Sequence, residues 1–278
     1  LAVVAASQRD TSVPAASTLQ FVFTSDAHFG LTRASFRGAH DVGADIVNHA
    51  LVRSINGLPE LRFPDDEGLR AGQLVGALDF VAEGGDIANR EEHVAGAQPI
   101  QSAADSWAQF MREYADGLRT RDASGQPTKL FLIPGNHDLS NALGFHKPMV
   151  PATDPSAFLA IYNWMVRPPQ PLPAAGFAYG RERFFRSVDL AGVHLQFIHL
   201  WPDSAMRARM QEDLSGVDAQ TPVIVFSVTP VRRASSPMVS AASCPSDITT
   251  CTCAGVSCSS SEWTPMGSLS EAMRPSDT

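Results

Sequence analysis

The chain has 278 residues, of which 44% are apolar, and it carries a formal net charge of -8 with a pI near 5.4. This length is enough for one large domain or two small ones, with a full hydrophobic core. Binding to nucleic acid usually needs clustered Lys and Arg, so the acidic charge argues against a nucleic-acid partner. No apolar run approaches the roughly 18 residues that cross a bilayer, so no membrane span is predicted.

Three regions differ in composition. Residues 1–18 are rich in Ser, Ala and Thr and are predicted to be a disordered leader or the remnant of a secretory signal. Residues 19–228 are predicted to form one domain, and residues 229–278 a disordered Ser/Thr/Cys-rich tail. A signal remnant would make the protein periplasmic or secreted, and a plain disordered leader would leave it cytoplasmic.

Three apolar runs within the domain each end in a polar cluster. They predict strands over 19–25, 77–83 and 129–133. Apolar residues at helical spacing predict a helix over 102–118, between the second and third strands. Strands that alternate with a helix favour parallel pairing in an α/β fold. Because functional loops gather at the carboxyl ends of such strands, the polar clusters are expected to meet there.

The other predicted elements are less closely tied to these clusters. A helix is predicted over 48–55, and the Pro-rich stretch 147–182 is predicted to be a surface excursion beside a substrate cleft. Two further strands are predicted over 192–200 and 221–227, joined by a helix over 205–214.

The polar clusters offer ligands for transition metals. They hold two aspartates, two histidines and an asparagine: Asp26, His28, Asp86, Asn136 and His137. Carboxylate, imidazole and amide oxygen suit Mn, Fe, Zn or Ni. Two such ions ~3.5–4 Å apart can clamp the attacking and leaving oxygens of a phosphoryl transfer. The clusters therefore predict a hydrolytic centre with two metal ions.

The order of the clusters resembles a known family. The three motifs are Asp26-Ala27-His28, Gly85-Asp86-Ile87-Ala88-Asn89 and Gly135-Asn136-His137-Asp138. They resemble, in that order, the D-x-H, G-D and G-N-H-D/E signatures of calcineurin-like metallophosphoesterases. The resemblance covers roughly residues 19–228. It implies a two-sheet β-sandwich flanked by helices, here incomplete at its C-terminal side, that hydrolyses phosphate mono- or diesters of a small phosphorylated substrate.

The resemblance also implies metal ligands. Asp26 and His28 would hold the first ion, Asp86 would bridge the pair, and Asn136 would hold the second ion through its amide oxygen.

Two further residues would act on the substrate. The resemblance implies that His137 stabilises the transition state or protonates the leaving oxygen, and that Asp138 orients the His137 ring. Asn89, Arg90 and His93 follow the bridging aspartate, and a solvated helix start is the favoured interpretation for them.

The family pattern breaks after the predicted strand 221–227. A histidine ligand is due at Val228 and a G-H-x-H unit after it, but no histidine follows His199. His199 lies one strand too early to be a good substitute, and His194 would face the opposite side of that strand. A shifted reading frame after Ser227 would produce such a break. The alternative function is therefore a catalytically inactive relative that binds metal or phosphate, with one ion retained rather than two.

Overall fold

The computed structural model describes residues 18–68, 70–88, 101–139, 155–177, 182–199, 202–227 and 248–252. Within them the fold is mixed α/β, with three small sheets and four α-helices. The strands are β1 Phe21–Thr24, β2 Thr32–Phe36, β3 Ala39–Gly43, β4 Phe80–Glu83, β5 Lys129–Leu132, β6 Phe185–Leu190, β7 Val193–Ile198, β8 Val223–Ser227 and β9 Ile248–Thr252. The helices are α1 Ala44–Gly57, α2 Ala103–Phe110, α3 Ser156–Val166 and α4 Ser204–Leu214.

The first sheet holds the three predicted strands that end in polar clusters. Its order is β1-β4-β5 and both pairings are parallel, as the sequence predicts. Phe21 pairs with Phe80 in register, and their rings stack with centroids 4.6 Å apart. Both side chains are buried, so this sheet forms one side of the main hydrophobic core.

The second sheet has the order β6-β7-β8-β9, antiparallel between β6 and β7 and parallel between the others. Strands β7 and β8 are buried along their whole length. Phe226 of β8 lies 5.7 Å from Phe21 and 5.9 Å from Phe80 between ring centroids, and Phe197 of β7 lies 4.9 Å from Phe131. Aromatic rings of the two sheets therefore meet in one core.

Helices α1 and α2 pack beside the loops that follow the first sheet. Helix α1 buries Ala44, Asn48, Val52 and Ile55, a spacing that places them on one face. Helix α2 begins at Ser102, whose hydroxyl accepts the Asp105 N–H, and it continues into a π-helical segment at Met111–Ala115. The predicted helix over 102–118 is thus confirmed, and that over 48–55 is part of the longer α1.

The predicted surface excursion over 147–182 is wrong for its central part. Residues 156–166 form α3, which buries Phe158 and Ile161 completely. The Trp164 side chain donates to Leu130 O at 3.2 Å, so α3 covers the outer edge of β5. Covering an edge strand in this way protects its unpaired backbone groups.

The predicted tail is described only in part. Ile248–Thr252 form β9, which pairs with β8 in parallel, although disorder was expected there. Val228 and the rest of 229–278 lie outside the described residues, as do residues 1–17 of the predicted leader. No helix in the described part of the chain is long and apolar enough to span a membrane.

A buried histidine joins the second sheet to α4. The ring nitrogens of His194 lie 2.7 Å from Asp189 Oδ1 and 2.7 Å from Asp213 Oδ2. Asp213 also accepts hydrogen bonds from Ser187 and Gln196. Burial lowers the pKa of His194, but the hydrogen bonds that its ring donates to the two carboxylates outweigh this effect and raise the pKa above its usual 6.5. The two carboxylates therefore favour the protonated form of the His194 ring.

We expect this arrangement to make stability depend on pH. The pKa of His194 is higher in the folded than in the unfolded chain, so its contribution is complete below about pH 6.5 and is lost as pH rises through the folded pKa. Urea unfolding in EDTA from about pH 6 to about pH 8.5 should show a falling free energy of unfolding, to which His194 contributes at most ~1.4 kcal/mol per pH unit. His194→Gln should remove that part of the slope and leave the part due to Asp86, whose pKa is raised to about 7. His49→Gln, at an exposed histidine paired with Glu113, is the control and should leave the whole slope unchanged.

Candidate metal centre

The loops after β1 and β4 continue the pairing of their strands. The N–H groups of Asp26 and His28 donate to the carbonyls of Gly85 and Asp86 at 3.0 and 2.7 Å, and Phe29 N–H donates to Ile87 O at 2.9 Å. These bonds hold the first polar cluster against the second at the carboxyl edge of the sheet.

The loop after β5 joins the same group through two glycines. A Cβ on Gly85 would fall 2.6 Å from Gly135 Cα, and a Cβ on Gly135 would clash with the carboxylate and backbone nitrogen of Asp86. A side chain at either position would push the loops apart. The glycines of the G-D and G-N-H motifs are therefore required by the close approach of two backbones.

Three candidate ligands have left-handed backbone conformations. Asp26 has φ 60°, His28 φ 46° and Asp86 φ 56°. Such conformations cost of order 1 kcal/mol or more in residues other than glycine, and they persist where the surrounding structure fixes them. Strain of this kind clusters at functional sites, and two of these residues, His28 and Asp86, belong to the group of side chains described next.

The centre of this arrangement is a group of three side chains. His28, Asp86 and one ring nitrogen of His137 place their ligand atoms within 4.8 Å of one another. His28 Nε2 is 3.8 Å from Asp86 Oδ2, and the rings of His28 and His137 lie edge to face with centroids 4.6 Å apart. His28 and Asp86 are buried and His137 is half-buried. Two imidazoles and a carboxylate around one point form a donor set for a transition metal.

Two other predicted ligands lie next to this group. Asp26 Oδ1 is 3.5 Å from His28 Nε2, and its side chain is 57% exposed. The hydrogen bond from His28 lowers the pKa of Asp26, against an opposing effect of burial. Asn136 lies between Gly135 and His137 in the third loop and is half-buried. Arg33 brings a positive charge to the rim, where its guanidinium donates to Asp26 O at 3.0 Å.

Asp138 connects the second and third loops. Its fully buried carboxylate accepts the N–H groups of Asp86 and Gly135 at 2.8 Å, Ala88 at 3.0 Å and Ile87 at 3.4 Å. Asp138 therefore fixes the shape of the loop that carries Asp86. That it also orients the His137 ring stays a prediction.

Buried carboxyl groups make the site electrostatically unbalanced. Burial raises the pKa of Asp86 to about 7, and the negative charge of Asp138 adds to this effect. Burial also raises the pKa of Asp138 to about 6, although its backbone N–H donors oppose the shift. Glu83, completely buried at the end of β4, has its pKa raised well above the usual range, mainly by burial. A cation near Asp86 would relieve this accumulation of negative charge.

A polar network behind the first loop supports it. Asn48 of α1 donates through Nδ2 to Ala27 O and to Ala44 O, both at 2.8 Å. Its Oδ1 accepts the Tyr114 hydroxyl at 2.9 Å. Asn48 and Tyr114 are buried, and Ala27 lies between the candidate ligands Asp26 and His28. The network thus holds the loop by the carbonyl between those two residues.

The sequence did not identify these supporting residues. The periodicity of α1 marks the position of Asn48 as core-facing, and a buried amide has to be hydrogen-bonded. That is a signal for a structural role, but it does not reveal the partner. Tyr114 fits the apolar spacing of the predicted helix over 102–118, and that spacing does not predict a hydrogen-bond partner.

Of the predicted site residues, His28, Asp86 and His137 place their ligand atoms close together. Asp26 and Asn136 lie beside this group, and Asp138 contacts the backbone of the loops that carry Asp86 and Gly135. His199 is buried at the end of β7, where its Nδ1 lies 3.2 Å from Phe184 O. Asn89, Arg90 and His93 lie outside the described residues.

No protein-family model matches the chain, and no curated protein matches it. A function has to be inferred from the geometry of the site.

Replacing Gly135 should test the close approach of the loops. Gly135→Ala places a methyl group against Asp86, and such overpacking costs about 1–3 kcal/mol of stability. Gly57→Ala is the matched control, because Gly57 has an α-helical φ of −83° and open space around its Cβ position. Thermal unfolding of both variants should show a loss for the first only. Equal melting temperatures would contradict the steric argument.

Replacing Asn48 should loosen the first loop. Asn48→Ala removes both donors to Ala27 O and Ala44 O and leaves the Tyr114 hydroxyl without its acceptor, each orphan costing about 1–3 kcal/mol. Hydrogen–deuterium exchange of the metal-free protein should be faster in a peptide covering residues 25–31. Asn56→Ala is the control, since Asn56 makes similar bonds, to Gly117 and Arg119. It should leave that peptide unchanged.

Proposed function

We propose that the chain is a metal-dependent phosphoesterase that hydrolyses mono- or diesters of a small phosphorylated substrate, related to the calcineurin-like metallophosphoesterases. The observation that carries the proposal is the convergence of His28, Asp86 and His137 from three successive strand-end loops. The order of the motifs and the positions of the strands agree with the order that the resemblance implies.

The proposed fold is the β-sandwich of that family. Its support comes from the aromatic contacts that join the first sheet to the second, in which Phe226 lies against both Phe21 and Phe80. Rings at these distances are typical of side chains that interdigitate between two packed sheets.

The residues at the site fit a transition-metal ion. His28 Nδ1 is buried and has no hydrogen-bond partner among the described residues, and Nε2 faces the carboxylates of Asp26 and Asp86. Burial and the nearby Asp138 carboxylate raise the pKa of Asp86 to about 7, and a cation beside Asp86 would offset both effects. Mn, Fe, Zn and Ni all accept this mixture of imidazole and carboxylate. Such an ion supplies Lewis acidity to a phosphoryl oxygen and makes water a better nucleophile at neutral pH.

The residues of the chain would bind the ion and orient the substrate. His28 and Asp86 would hold the ion, with Asp26 beside them, and their strained backbone keeps the side chains in place before substrate arrives. Arg33 is suited to contact the phosphate, because its charge lies at the exposed rim next to Asp26. The reaction joins a water oxygen to phosphorus and breaks the ester P–O bond, and the leaving oxygen departs with a proton.

A second candidate is a binding protein without turnover. The observation that favours it is the lack of any histidine after His199, so the ligands that the family supplies from later strands are missing. A protein of this kind would bind metal or phosphate at the same loops.

An assay on p-nitrophenyl phosphate and its bis ester should separate the two candidates. We expect turnover with Mn, Fe, Zn or Ni ions and none with EDTA. His137→Ala should reduce the rate by about 100-fold or more, the loss typical of a group that acts on the reacting centre. Asp86→Asn should do the same, because it weakens metal binding.

Asp218→Asn is the control, at an exposed aspartate of the turn before β8, and should keep the full rate. Metal binding by calorimetry without turnover on either ester would favour the binding protein. Turnover that survives both Asp86→Asn and EDTA would exclude this site as its source.

A further inference from the structure

The resemblance implies that His137 acts on the leaving oxygen, and its position also permits a direct bond to the ion. Here a ring nitrogen of His137 falls within 4.8 Å of the ligand atoms of both His28 and Asp86. The two rings meet at 83°, so each can direct a nitrogen toward a shared point.

The backbone of His137 also fixes the carboxylate of Asp86. Asp86 Oδ1 accepts the His137 N–H at 2.8 Å, which leaves Oδ2 facing His28 Nε2 at 3.8 Å. Ligand atoms about 2.0–2.2 Å from an ion lie about 3.3–3.5 Å apart in a tetrahedral site. The observed 3.8 Å between His28 Nε2 and Asp86 Oδ2 is only slightly longer than that value. His137 thus orients the Asp86 carboxylate through its backbone N–H and would supply a second ligand through its ring.

We propose that His137 is a direct metal ligand and that it forms, with His28 and Asp86, a site for a single zinc or ferrous ion. This inference rests on the proposed metal centre and specifies its composition. Two imidazoles and one carboxylate are a ligand set of catalytic zinc sites and of non-haem Fe(II) sites. Three protein ligands would leave at least one coordination position for water or substrate.

The single-ion site also accounts for the missing later ligands. A second ion would rely on Asn136 and on a bridging Asp86, with no histidine available after His199. One ion held by three residues of the first three loops needs nothing from the rest of the chain.

The test is metal binding by the full chain, stripped with a chelator and titrated with Zn²⁺ and Co²⁺. We expect one ion per chain by calorimetry and a Co²⁺ absorption spectrum typical of low coordination number. His137→Ala and His28→Ala should both weaken binding by more than the roughly 10- to 100-fold typical of residues behind the ligands. His40→Ala, at an exposed histidine of β3, is the control and should bind as tightly as the wild type.

A measurement on the wild type avoids the question of whether the variants fold. Nitrogen–proton correlation spectra of the histidine rings should show two of the eight histidines shifting when one equivalent of Zn²⁺ is added. One shifted ring, two bound ions per chain, or undiminished binding by His137→Ala would overturn the inference.

The outcomes separate this inference from the proposed function. One ion bound through two histidines without hydrolysis of either ester would support the site and overturn the phosphoesterase. Hydrolysis with two ions bound would do the reverse. A chain that binds none of these ions would overturn both.

Discussion

The candidate site depends on the buried carboxylate of Asp138. It sits at the point where two loops of the first sheet meet, and it accepts four backbone N–H groups from them. Several N–H dipoles pointing at one oxygen pair compensate an anion that burial would otherwise neutralise. Without this bond set, the segment around Asp86 would lack the partners that hold its left-handed conformation.

Buried carboxyl groups and left-handed backbone conformations occur together around Asp138. Three carboxyl groups are buried here: those of Glu83 and Asp86 at and just after the end of β4, and that of Asp138 in the loop after β5. The pKa of each is raised, chiefly by burial. A fold keeps such a cluster only if neighbouring groups compensate for it, and here backbone donors serve Asp138 while Asp86 faces imidazoles. A cation beside Asp86 would offset the cost of burying these carboxyl groups.

Much of this site could be predicted from the sequence, because each ligand loop follows a short apolar strand. The runs that became β1, β4 and β5 are bounded by polar residues, and parallel pairing brings their ends together. The grouping of His28, Asp86 and His137 follows from that topology. The left-handed backbone of His28 and Asp86 and the position of the His137 ring do not, since they depend on contacts between loops far apart in sequence.

Other features escaped prediction for identifiable reasons. Strands β2 and β3 form a mostly exposed hairpin, so they lack the apolar alternation that marks a half-buried strand. Strand β6 mixes charged residues with apolar ones in the same way. Helix α3 was not predicted because prolines flank it on both sides. Its own sequence is apolar, and one face of it is almost completely buried.

The π-helical segment Met111–Ala115 has a consequence for how the chain tolerates change. Phe110 packs in the core and Tyr114 reaches Asn48, so this stretch serves two partners with one helix. Removing one residue there would restore the better hydrogen bonding of an α-helix, but it would turn everything downstream by about 100°. The shorter helix would thus be more favourable in itself, but Tyr114 would no longer reach Asn48, the residue that holds the first loop. A regular α-helix and the Tyr114–Asn48 contact cannot both form at this segment, and the fold keeps the contact.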